Sequence, residues 1–223
     1  MTKHLPQILA IDGRLHAETF IAANGAIAGF AAQQTLLAQK PNLSIETLSE
    51  SSAQDGLFIV RSPRGDRYLY GDPLKTMVFC KERTPTLITA RLWEWAVQGA
   101  IDAGLDKSEI PDTLTMWENV NHSIQDDLDG MPSVPKKHWP HLAPAQLLKQ
   151  LWPIAKQLLV GKGSGAKAPP GIVVVEPRWW PTITRAATSA AIREVKTVLH
   201  PRMALLIAME TAIFTLKVDP TKF

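Results

Sequence analysis

Apolar positions follow a helical spacing over most of the chain and give way to short β-rich runs only between residues 43 and 82. Residues 15 to about 39, "LHAETFIAANGAIAGFAAQQTLLAQ", hold no proline and place Phe20, Asn24, Ile27 and Ala31 on one face, with Pro41 ending the helix. "LSIETLS", "GLFIVRS", "RYLYGD" and "TMVFCKE" then read as strands, with "SPRGD" as a hairpin turn. Connections this short imply an antiparallel meander.

Helical patterning resumes at "TPTLITARLWEWAVQGAIDAGL", where Thr84 or Thr86 can cap and Gly104 can stop the helix. Trp93 and Trp95 lie on different faces of it, so one packs inward while the other must meet a further element, a ligand or a partner. The next helix carries Leu114, Trp117, Val120, Ile124 and Leu128 on its apolar side and ends at Gly130. Residues 131–144 contain Pro132, Pro135, Pro140 and Pro144 and resist regular structure. Beyond them, "AQLLKQLWPIAKQLLV" is expected to kink or break at Pro153, "GIVVV" reads as a strand, and two helices close the chain. The last of these is apolar around most of its circumference, so Glu210 within it needs a partner, a proton or a route to solvent.

The expected fold is therefore α+β, a small antiparallel sheet of about four to five strands covered by several helices. The expected organisation is a single domain over residues 1–223, with the proline-rich 131–144 segment as the only candidate internal boundary. Gly25 and Gly29, flanked by alanines, leave one helix surface nearly bare. Such a surface serves either a close contact inside the monomer or a dimer interface.

Composition narrows the class. A chain with one cysteine, Cys80, cannot form an internal disulfide or a thiolate zinc site, which points to the cytoplasm. No signal peptide is apparent, and the apolar runs at 20–32 and 203–216 fall short of the roughly 20 residues of a membrane span. Net charge is +3, yet residues 1–131 hold 11 Lys/Arg against 17 Asp/Glu and residues 132–223 hold 13 against 4. Either the two halves neutralise each other in one globule or the basic half attracts an anionic partner.

Candidate chemistry is sparse. "GKGSGAKAPP" (161–170) lacks the second glycine and the hydroxyl of a phosphate loop, since Ala166 and Ala168 occupy those positions, and it precedes a strand instead of opening a helix. Glu118, His122 and Asp126 recur at i, i+4 and i+8 on one helix and could serve proton transfer, with or without a bound metal, or form a solvated acidic face. His16 with Glu18, and His138 with His141, are further histidines that could converge on His122. No nucleophile motif occurs, and Cys80 falls in an expected strand where burial makes it inert. Arg178, Trp179 and Trp180 combine cation and aromatic rings, suited to stacking and phosphate neutralisation or to core packing of one ring with guanidinium stacking on the other.

The expectation is a non-catalytic binding or interaction protein, a homodimer, using Gly25, Gly29, Arg178, Trp179 and Trp180 as its surface, with no cofactor and no metal implied. A small-molecule enzyme built on His122, Glu118 and Asp126 is the alternative, and nucleic-acid binding through the basic half ranks behind it.

Overall fold

The first long helix, α1 (Ala17–Ala38), is buried on nearly all sides because it runs through the interior. A computed structural model describes residues 10–11, 14–79, 83–84, 87–88, 91–126, 128–160 and 175–223. Among the described residues there follow α2 (Asp72–Phe79), α3 (Leu92–Asp102), α4 (Thr113–Gln125), α5 (Pro144–Leu159), α6 (Trp180–Glu194) and α7 (Pro201–Lys217). The strands among the described residues form three separate two-stranded antiparallel ladders: β1 (Ala10–Ile11) with β2 (Arg14–Leu15), β3 (Phe58–Arg61) with β4 (Arg67–Tyr70), and β5 (Arg83–Thr84) with β6 (Leu87–Ile88). The chain is thus helix-rich α+β, and the expected sheet of four to five strands is replaced by hairpins that do not join.

The central hairpin has the expected turn. Phe58 pairs with Tyr70 and Arg61 with Arg67, and the Ser62 N–H donates to the Asp66 carbonyl at 2.9 Å. "TMVFC" is not a strand: its residues up to Phe79 belong to α2, while Cys80 lies outside the described residues. Asp72 in the first turn and Pro73 behind it favour helix entry, and Leu74 and Val78, one turn apart, both point into the core. "LSIETLS" forms a 3₁₀ turn at Ile45–Thr47 instead of a strand. The "GIVVV" strand and the 161–170 loop fall outside the described residues, apart from Val175.

Helix α3 starts later than its pattern suggested, at Leu92, where Arg91 is the N-cap and the Glu94 carboxylate accepts the Arg91 N–H at 3.2 Å. Gly104, at φ +105°, stops it as expected. In α4, Asp112 caps the Thr115 N–H at 2.8 Å; Trp117, Val120 and Ile124 are buried, whereas Leu114 and Leu128 are exposed. Helix α5 continues through Pro153 without breaking into two.

α7 is buried from Ala204 to Lys217 and lies against α1. A Cβ built on Gly25 would strike the Ala208 carbonyl, and one on Gly29 would strike the Ala212 carbonyl and the Thr215 hydroxyl. The Thr215 hydroxyl also donates to the Ala26 carbonyl at 3.0 Å, tying the two backbones directly. The glycine pair thus serves a close approach within the protomer, and the surface that suggested a homodimer is covered by α7. Among the described residues no helix is long and apolar enough to cross a membrane.

Candidate functional site

Glu118, His122 and Asp126 stand on the exposed face of α4, and no side-chain hydrogen bond or ion pair joins them. They have the arrangement of a solvated face. Of the adjacent tryptophans, Trp180 is 5% exposed, packs edge-on against Trp152 at 5.8 Å and donates its Nε1–H to the Val175 carbonyl. Trp179 is 45% exposed, and the Arg178 guanidinium lies over its ring at 5.6 Å. Trp93 and Trp95 divide similarly: Trp93 meets Phe79 at 6.1 Å, while the exposed Trp95 ring carries the Arg185 guanidinium at 5.5 Å.

Both arginines lead into one cleft of about 370 Å³ between α1, α2, the start of α3 and the start of α6. That volume lies in the range of small-molecule sites. Ala28, Ala32 and Leu36 of α1 with Met77 and Leu92 give it apolar walls, and Thr76 and Thr182 supply hydroxyls. Lys40, Arg91, Arg178 and Arg185 supply the charge, and among the described residues no carboxylate lines the cleft. Partners stand just outside: Asp55 is 3.5 Å from Lys40, and Glu176 is 2.8 Å from Arg178 in an exposed pair. Exposed pairs of this kind are worth a fraction of a kcal/mol up to about 1 and yield readily to a competing anion. Burial lowers the pKa of Arg185, Arg91 adds to that by repulsion, and Glu94 opposes it. An anion placed between the two guanidinium groups would relieve both burdens.

A second cluster forms at the opposite end of α1, where three of the four histidines in question converge and His122 does not. His16 is the N-cap residue: its Nδ1 accepts the Thr19 N–H at 3.4 Å and the Thr19 hydroxyl at 2.9 Å. The ring proton therefore sits on Nε2, which faces the Glu18 carboxylate at 3.3 Å. His138 donates from Nδ1 to the other Glu18 oxygen at 2.8 Å, and the His141 ring stacks on His16 at 3.6 Å between centroids. Burial depresses the His16 pKa, against the pull of Glu18 and with the help of His141. Burial alone would raise Glu18, but the His138 hydrogen bond, its own backbone amide and the flanking imidazoles hold it below the usual carboxylate range. Among the described residues no three His, Cys, Asp or Glu side chains are arranged to hold a metal ion.

Lys40, Arg91 and Arg185 were not singled out by sequence spacing, since they come from segments about 50 residues apart or more. Arg178 stands out in the sequence beside Trp179 and Trp180, whereas Arg185 is signalled only by the basic excess after residue 131. Compared with known protein families, curated proteins and solved structures, the chain matches none.

Proposed function

We propose that this chain is a binding protein whose ligand is a small organic anion, a phosphate or carboxylate on an apolar body, held in the cleft between α1, α2, α3 and α6. The observation that supports this reading is the set of Lys40, Arg91, Arg178 and Arg185 around apolar walls, with no carboxylate among the described residues of the lining. Cations fix and orient the charged group, and the alanine- and leucine-lined side takes the body. The cleft's size suits a small molecule better than a nucleic-acid strand, which tracks an extended groove. The enzyme alternative draws no support from His122, which stands exposed with no hydrogen-bonded carboxylate.

Titration calorimetry with adenosine monophosphate, benzoate and the uncharged adenosine tests the proposal. At least one of the two anions should bind, adenosine should not, and affinity should fall with salt. Loss of one charged contact costs about 1.5–3 kcal/mol, so Arg178→Ala or Arg185→Gln should weaken binding by roughly tenfold or more. No binding of either anion, or wild-type affinity retained in both variants, would refute it.

A further inference from the structure

The proline-rich segment 131–143 is fastened to the core at two places of different chemistry. At its start, Ser133 donates its backbone N–H to Glu210 Oε2 at 2.5 Å and its hydroxyl to Oε1 at 2.6 Å, with Asn119 of α4 donating to the same oxygen at 3.0 Å. At its end, His138 donates to Glu18, and the His141 backbone N–H donates to the Thr19 hydroxyl at 2.9 Å. Between the two, Trp139 Nε1–H closes on the Val134 carbonyl at 3.0 Å, tying the two halves of the segment together. Its first residues, Ser133, Val134 and Pro135, wall a cleft of about 720 Å³ against α4 and the start of α7.

We propose that residues 131–143 form a strap with an acid-released clasp at the histidine end and a fixed hinge at Glu210. The clasp is built on a ring that must stay neutral. Protonation of His16 turns Nδ1 from acceptor into donor, so it can no longer cap the Thr19 N–H; the Thr19 hydroxyl must turn to accept from it, and the imidazolium lies face to face with the His141 ring of the strap. The stacked His141 ring makes a second proton there unfavourable.

The charged and titratable groups at the clasp are Glu18 and His16 from the start of α1, His138 and His141 from the strap, and Lys136 and Lys137, which share the turn with His138. At the hinge, Glu210 is faced by the uncharged Asn119 and Ser133, while Glu109, Asp112 and Arg202 line the adjoining cleft. The signs differ at the two ends. His16 is depressed in the folded chain, so the unfolded chain takes up protons first, and the clasp weakens as pH falls below the ordinary histidine value of 6.5. Glu210 is raised by burial, against its hydrogen bonds, so the folded chain keeps its proton at higher pH than the unfolded one and acid does not unfasten that end.

Amide hydrogen exchange, expressed as protection factors on the full chain, tests the strap at about pH 7.5 and about pH 5, the range over which histidine titrates. The Thr19 and His141 amides should lose protection roughly fivefold on acidification, the equivalent of one helix cap, while the Ser133 amide holds. His16→Asn keeps a capping side chain that does not titrate and should abolish the loss at both amides. Unchanged protection of Thr19 and His141 in the wild type, or the same loss in His16→Asn, would overturn the clasp. An equal loss at Ser133 would overturn the hinge.

Discussion

Lys217 closes α7 with its side chain fully buried, and replacing it by methionine should stabilise the protein at neutral pH. Its ammonium sits over the rings of Trp117 at 3.9 Å and Tyr70 at 4.3 Å and donates to Asn121 Oδ1, with no carboxylate partner among the described residues. Two ring faces return about 2 kcal/mol each to a desolvated cation, whereas burying an unpaired charge costs several kcal/mol or more. Burial wins, aided by repulsion from Lys75, and brings the Lys217 pKa from 10.5 down to about 6. Tyr70 offers no counter-charge, because burial lifts its phenol to about 12.

At pH 7 the folded chain therefore holds a neutral amine where the unfolded chain would hold an ammonium, a difference of about 5 kcal/mol at 1.4 kcal/mol per pH unit. Methionine fills nearly the same volume and removes that cost, but it leaves Asn121 short of a donor, which takes back about 1–3 kcal/mol. The net expectation is a gain of about 2–4 kcal/mol. Between pH 6 and pH 10.5 the unfolded state binds the extra proton, so wild-type stability should climb with pH by about 1.4 kcal/mol per unit relative to Lys217→Met. Urea denaturation of both proteins at a series of pH values measures this difference. Parallel profiles, or a variant less stable than wild type at pH 7, would refute the reasoning and show the aromatic box to hold a charged lysine at a profit.

Gly29→Ala gains about 1 kcal/mol of helix propensity but drives a methyl into the Ala212 carbonyl and Thr215; a net loss of about 3 kcal/mol in urea denaturation is expected. Gly130→Ala should be at least as damaging, since φ is +78° there and the new Cβ would enter the Phe214 ring; thermal unfolding checks it against Gly104→Ala, whose surroundings are open. Glu210→Gln places an amide N–H₂ against donors of Ser133 and Asn119 and should cost about 1–3 kcal/mol, measured the same way.

The hairpin of β3 and β4 was legible because Phe58, Ile59, Val60, Tyr68 and Tyr70 flank a turn containing Pro63 and Gly65. The failure at α2 was also local. Met77, Val78 and Phe79 have strand propensity, but Asp72 and Pro73 start a helix, and the burial of Leu74 and Val78 selects its period over theirs. Propensity alone reads "LSIETLS" and "TMVFC" as strands, and tertiary packing decides against both. The glycine pair of α1 had a readable counterpart in Ala204, Ala208 and Ala212, spaced four apart on α7, yet no sequence rule states that two small-residue stripes choose each other over a second copy of the chain. The histidine cluster was half visible, since His16 and Glu18 are neighbours while His138 and His141 arrive about 120 residues later. The cleft was the least visible feature. Its cations sit just past the end of α1, just ahead of α3, just ahead of α6 and within α6, and only folding brings them to one cleft.

α1 links these features mechanically. Its 22 residues span about 33 Å, with the histidine clasp at the first turn and the cleft along the last three. Because Gly25 and Gly29 let it lie directly on α7, α1 cannot slide along α7 without breaking the Thr215 bond to the Ala26 carbonyl and bringing alanine methyls of α1 toward the Ala208 and Ala212 carbonyls that only the glycines leave room for. It acts as a fixed beam. Conformational change must then reside in what bears on its ends: the 131–143 strap at one end, and the Arg178 and Arg185 side chains, lying over exposed tryptophans, at the other. A rigid α1 keeps the two ends energetically separate. Acid at the clasp should therefore leave anion affinity in the cleft unchanged, apart from titration of the anion itself, and coupling between them would mean that the α1–α7 contact is softer than its packing implies.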